Sequence, residues 1–382
     1  MKHRTISLSL LAGIAIAFPS SRASAQGALS TQGFGFPPGQ MSTRALATGG
    51  GIAEFDADSP LNPAAIALSS DPRMFLQYEP EFRRLTNAGA TSNTTTARFP
   101  VFSASVPIGS RGSIGVSAAT LLDRSSATSI TRDLEVGGTV STVTESTRMF
   151  GAINDLRLAF GWAPSTKFQL GLGVHAYTGQ NRVFFSQSFP DSLKFSTISQ
   201  VTTLGFRGYA GSAGVMIRPS RNFGFAVSGR KGAKIEARNT DSAVAEANIP
   251  DRFGFGFAYE GIPGSSISAH VSRDMWSRMN DLSSAEAVDT WEGGFGIESL
   301  GPRLIQRQTI LRIGTRYRTL PYLAAGSEVS ELSFAGGIGT QFFRNRATFD
   351  VTLERSGRKA KDSDIGARER AYILSFGLRV RP

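Results

Sequence analysis

Along residues 252–259 large rings and bare positions alternate without exception, Phe253, Phe255, Phe257 and Tyr259 against Gly254, Gly256 and Ala258. Successive side chains of a strand point to opposite faces, so this stretch makes one aromatic face and one nearly empty one. A strand of a soluble sandwich turns polar groups to water. A strand in a membrane wall turns its rings to lipid and its small residues to a crowded lumen. On this segment alone, a buried sandwich strand and a barrel strand are equal readings.

The same period of two recurs down the chain and predicts fourteen strands, near 73–81, 97–106, 113–122, 150–162, 167–179, 200–217, 223–230, 252–259, 266–272, 290–298, 309–318, 331–342, 347–354 and 371–381. The connections decide between the two readings. Those at 107–112, 163–166, 219–222, 261–264 and 343–346 are tight turns, and 300–308 is little longer. Those at 123–149, 183–199, 231–249, 273–289, 319–330 and 355–370 are long and polar. Short and long connections alternate, which is the asymmetry of an outer-membrane barrel with periplasmic turns and outer loops. The expected fold is all-β, a transmembrane outer-membrane β-barrel of about 14 antiparallel strands.

Charged residues follow the same parity. Arg312, Arg316 and Arg318 oppose Leu311, Ile313 and Tyr317, and turning each arginine to lipid would cost roughly 2–4 kcal/mol at the midplane. They are expected to face inward. Arg157 likewise opposes Leu156, Leu158 and Phe160, and Asp350 and Glu354 oppose Phe349, Val351 and Leu353. Parity changes near 207–211, which predicts a bulge or kink at Gly208 or Gly211. Trp162, Trp291, Tyr259 and Tyr372 lie near strand ends, where interfacial aromatic girdles form.

Lys2 and Arg4 precede an apolar run at 6–18 and the small-residue site Ala23-Ser24-Ala25. This predicts a signal peptide over 1–25, with an apolar run too short to span a bilayer. Residues 26–40 are rich in Gly, Ser and Pro, Asn62 followed by Pro63 reads as a capped helix start, and 26–71 is taken as one N-terminal segment. This segment is the candidate plug, and 72–382 is left for the barrel. The chain has no cysteine, so sheet and burial must hold it together. A formal charge of +11 without a basic helix or a clustered Lys/Arg run argues against nucleic acid as a partner. Anionic lipid headgroups and lumenal carboxylates are the natural counterparts of that charge.

The runs Gly33-Phe34-Gly35, Gly49-Gly50-Gly51-Ile52-Ala53 ahead of Asp56, and Asn62-Pro63-Ala64 all precede the first strand. With them, the chain resembles the outer-membrane long-chain fatty acid transporter family, the FadL/OMPP1/TodX-type barrels. The resemblance implies a monomeric fourteen-stranded barrel closed by an N-terminal hatch, with passive uptake of hydrophobic compounds such as long-chain fatty acids. It implies gating at Asn62, Pro63 and Ala64, a hydrophobic small molecule and outer-membrane lipid as partners, and no cofactor or metal. Without the resemblance, those three residues read equally as a tight turn and helix start. Arg157, Arg312 and Arg316 are candidates for a substrate carboxylate, since guanidinium pairs well with carboxylate. The competing reading pairs them with Glu292, Glu298, Glu331, Asp350 or Glu354 inside the wall.

Two features depart from the family pattern. The chain ends Arg379-Val380-Arg381-Pro382 instead of in an aromatic residue, and its long connections are polar. They leave open a protein-binding barrel related to the type IX secretion shuttle. No enzyme is expected: His3 falls in the signal segment, and His175 and His270 lie on distant strands with no Gly-x-Ser-x-Gly elbow and no metal-ligand spacing.

Overall fold

The computed structural model describes residues 34–382 apart from 69–70, 88–89, 137–138, 190–195, 240–241, 283–284, 305–306, 345 and 362–366, together with Ala25–Gln26. Gly33 and nearly all of the expected signal segment lie outside the described residues. The chain forms one antiparallel ring of fourteen strands. These are β1 (Arg73–Asn87), β2 (Ala90–Arg98 and Val101–Ile108), β3 (Gly112–Asp123 and Ser126–Val136), β4 (Thr139–Ser165) and β5 (Phe168–Ser188). Next come β6 (Ile198–Ile217), β7 (Phe223–Asn239), β8 (Ser242–Asn248 and Arg252–Ile262), β9 (Ser265–Asp274) and β10 (Thr290–Leu304). The last are β11 (Arg307–Ala324), β12 (Ser327–Phe342), β13 (Ala347–Ala360) and β14 (Arg368–Val380). Each strand pairs with its sequence neighbours, and β14 closes on β1 from Val380 opposite Met74 to Arg368 opposite Thr86.

Parity sorts the two faces. Leu156, Leu158, Phe160, Phe253, Phe255, Leu311 and Ile313 are exposed on the outer wall, whereas Arg157, Arg252, Arg312, Arg316, Asp350 and Glu354 are buried inside it. Trp162 lies near the short-turn end and Trp291 and Tyr372 near the opposite end, all three facing outward. This is an apolar belt between aromatic rims, the outside of a membrane-spanning barrel. Among the described residues no helix is long and apolar enough to cross a membrane.

The structure corrects two expectations. Residues 123–149 and 231–249 are mostly not loops: β3 and β4 continue as one hairpin from Ser126 opposite Met149 to Val136 opposite Thr139, and β7 and β8 pair from Lys234 opposite Asn248 to Asn239 opposite Ser242. Both faces of the β3–β4 part see water, so the apolar alternation that marks a strand disappears while the ladder continues. The bulge also lies elsewhere. β6 holds a single register against β5 from Ile198 to Ile217, and the shift falls on β7 between Gly232 and Ile235, opposite Ala210 and Gly208. The Gly232 amide, displaced from the ladder, donates to Asp251 Oδ1 at 2.8 Å.

Residues 34–68 occupy the lumen. They contain the helix α1 (Thr43–Ala47), whose N-cap Ser42 accepts from the Ala45 amide, and a 3-10 turn over Pro63–Leu68. With only five residues, α1 holds together through its cap and its contacts with the wall, not through helix propensity. Toward the tall end of the barrel, a second 3-10 turn, Trp276–Leu282, folds into the mouth, and Trp276 meets Phe34 edge to face at 5.9 Å. Leu121, Leu122, Ile153, Phe206, Ile235 and Tyr322 join them in an apolar core in this half of the lumen.

Candidate functional site

The lumenal segment fits the wall where the wall has no side chains. Asn62 is fully buried; its Nδ2 donates to the Glu54 carbonyl at 3.0 Å and its Oδ1 accepts from the Ala64 amide at 2.9 Å. These two bonds fix a local turn that presents Pro63 to the wall. A methyl group on Gly214 would fall 1.9 Å from Asn62 Oδ1, and one on Gly171 would fall 2.2 Å from the Pro63 carbonyl carbon. Ala64 packs with Met216 and Ala226. Gly254 and Gly256, the bare face of the aromatic strand, likewise make room for Glu54.

Ion pairs surround this docking. Arg44 forks onto Glu298 with bonds of 2.9 and 2.8 Å, Arg252 donates to Glu54 at 2.9 Å, and Arg379 pairs with Asp58. Asp56 accepts from the Ser42 hydroxyl at 2.5 Å and the Ser59 hydroxyl at 2.7 Å. Burial alone would raise the Asp56 carboxyl, but the charges of Arg44 and Arg379 and the two hydroxyls outweigh it and hold it below the usual range.

The three arginines singled out by sequence differ in their surroundings. Arg312 Nε lies 2.6 Å from Glu298 and its Nη1 2.6 Å from Asp350. Arg316 Nη2 lies 2.7 Å from Glu354, with Glu331 and Glu292 within 3.9 Å. Both are saturated by lumenal acids. Arg157 is just as buried, yet its Nε and Nη1 have no hydrogen-bond partner. It faces Ser117 on one side and His175 on the other across β3, β4 and β5, and the Ser117 hydroxyl is also unpartnered.

One arrangement beside Arg157 escaped the sequence reading. His175 Nδ1 lies 2.8 Å from Asp155 Oδ1 and its Nε2 lies 2.8 Å from Ser212 Oγ. The histidine was legible as lumenal from strand parity, but its partners sit on β4 and β6, 20 and 37 residues away. Only the register of three strands brings them together. His270, by contrast, stands 3.7 Å from Glu54 and 3.5 Å from Glu292. Among the described residues no group of three or more His, Asp or Glu is placed to hold a metal.

The enclosed space is small. A cavity of about 70 Å³ lies between the lumenal segment and the apolar mouth, lined by Gln40, Met41, Arg230, Trp276 and Glu292 among others. It is large enough for a few waters. The outer wall carries larger apolar depressions, one of about 790 Å³ where Gly211, Ala213 and Gly229 leave the surface low between Leu172, Val174 and Phe253.

No family model and no curated protein matches the chain. Solved structures do. A FadL homologue of Pseudomonas aeruginosa superposes with a TM-score of 0.64 at 13% identity, covering 91% of this chain and 99% of that one. The toluene transporter TbuX of Ralstonia pickettii gives 0.58 at 12% identity, covering 89% and 98%. The toluene transporter TodX of Pseudomonas putida gives 0.56 at 12% identity, covering 90% and 98%.

Proposed function

We propose that this barrel, which has the fold of the FadL- and TodX-type outer-membrane proteins, conducts hydrophobic compounds inward by passive diffusion, as a monomer, with residues 34–68 as its hatch. The observation that carries this reading is the mode of closure. The hatch seals the short-turn half of the lumen by docking Asn62, Pro63 and Ala64 onto bare glycines, a contact that can separate without unmaking the sheet. The structures that the chain superposes on include two toluene transporters and a FadL homologue, which supports a hydrophobic cargo. Arg157, whose Nε and Nη1 carry no hydrogen bond, is the cation we assign to a cargo carboxylate, while Arg312 and Arg316 stabilise the wall.

The test is uptake of radiolabelled oleate and toluene by cells lacking their own transporters, comparing the full chain with one lacking residues 34–68. Both must first be shown folded in the outer membrane by heat-resistant migration on a gel. Uptake of either compound by the full chain, altered when the segment is removed, is the expected result. A folded barrel that moves neither compound and instead retains a protein on purification would overturn the reading in favour of a secretion-type role.

A further inference from the structure

We infer that Ser212, His175 and Asp155 form a serine-hydrolase centre in the lumen wall, acting on carboxylic esters of hydrophobic acids. The argument begins with bond order. Asp155 is held from four sides: His175 Nδ1 at 2.8 Å, the Tyr177 hydroxyl at 3.1 Å, Gln40 Nε2 at 3.0 Å and Arg230 Nη1 at 3.9 Å. A carboxylate so fixed accepts a hydrogen bond from the imidazole Nδ1–H and holds the proton on that nitrogen. That leaves Nε2 as an acceptor for the Ser212 hydroxyl at 2.8 Å. Nucleophile, base and orienting acid then stand in the relation that defines acyl-transfer triads, which are recognised by geometry and role and not by position in the chain.

Two further observations complete the site. Arg157 presents two unpartnered N–H groups one strand away, opposite His175. A methyl group on Gly173 would sit 2.6 Å from Ser212 Oγ and 3.4 Å from Arg157 Cδ, so the bare position lets the Ser212 side chain lie over it beside Arg157. A carbonyl attacked by Ser212 would find in Arg157 an unpartnered donor for its oxygen, and preorganised donors stabilise a developing oxyanion. The choice of hydrophobic acids rests on the hydrophobic cargo proposed above.

The reaction balances with water as the second substrate. Ser212 Oγ attacks the ester carbonyl as its proton passes to His175 Nε2. The ester C–O bond breaks, and His175 returns that proton to the leaving alkoxide, releasing the alcohol. Water then attacks the acyl-Ser212 ester, again giving a proton to His175. The acid leaves, and Ser212 recovers its hydrogen.

The test uses the full chain, folded in detergent micelles. It is offered p-nitrophenyl butyrate, octanoate and laurate, and separately a fluorophosphonate probe read by peptide mass spectrometry. Expected are release of p-nitrophenol with preference for the longer esters, and a single phosphonate adduct on Ser212. Ser212→Ala should abolish both signals. Arg157→Met should lower kcat by about 10²–10³-fold while KM changes little. Asp155→Asn acts through the histidine and should cost about 10⁴-fold in kcat, with partial rescue in Asp155→Glu. A folded wild-type chain that neither hydrolyses the esters nor takes the probe overturns the inference, and so does activity that survives Ser212→Ala. Labelling of the unaltered chain keeps the question decidable if a variant fails to fold. Uptake by Ser212→Ala at the wild-type level would leave the channel reading standing whichever way this test falls.

Discussion

Toward the tall end the lumen is filled by Leu121, Leu122, Ile153, Tyr322 and Trp276, whereas toward the short-turn end the inward positions carry Arg312, Arg316, Asp350 and Glu354. Both halves are closed, but by different physics. The apolar half gains from removing surface from water and needs no exact partner. The charged half gains only when every acid meets a base, because an unpaired buried charge is costly. The charged half grips residues 34–68 through pairs such as Arg44–Glu298 and Arg252–Glu54. The border is Phe36, whose ring lies 4.4–5.4 Å from the guanidinium carbons of Arg358, Arg83, Arg318 and Arg98. Pairing Phe36 with Asp123 in a two-residue bridge ties the hatch to that border.

The largest loss should come from Arg358→Ala. Arg358 is fully buried among Glu81, Glu331 and Glu369, and taking away the cation that these three buried carboxylates share should cost about 3–5 kcal/mol. The midpoint temperature of heat-resistant gel migration should fall sharply; an unchanged midpoint would mean that the barrel is not held by buried pairing. Leu122→Ala, in the apolar half, should cost about 2–5 kcal/mol through the cavity it leaves, and should be insensitive to salt. Asp56 gives the halves different responses to acid. Its carboxyl is held below its unfolded value, so its contribution is complete above the ordinary carboxylate range and is lost as pH falls through the folded value. Limited proteolysis of the hatch should therefore begin at lower pH than neutral while the apolar core persists, and Asp56→Asn should remove that pH step. Gly214→Val should displace Asn62 and leave the sheet intact, raising conductance in planar bilayers while the unfolding midpoint moves little. Arg218→Ala breaks only an exposed pair with Glu260, and a change above about 1 kcal/mol would be unexpected.

Much of this was readable from residue order. The fourteen strands, their sequence and the inward direction of Arg157, Arg312 and Arg316 follow from alternation at membrane depth, where each face meets a different medium. Beyond that depth the signal is lost, which is why the β3–β4 hairpin read as a loop. The site was legible in part. His175 faces inward by parity, but its bonds to Asp155 and Ser212 depend on strand register, which single residues do not encode. That Arg157 Nε and Nη1 carry no hydrogen bond is equally a property of neighbours, since Arg312 has the same parity and is fully engaged.

The pairing of Met74 with Val380 carries a consequence for how the molecule is assembled. The contact that makes the ring a ring joins the two ends of the strand sequence, so its cost in chain entropy is the highest of any strand pair and it belongs late on the route to the native state. Residues 34–68 precede that seam and end up encircled by it. Wrapping the ring about a segment already in place avoids threading, and the order of events in biogenesis then favours sealing β1 to β14 around the hatch.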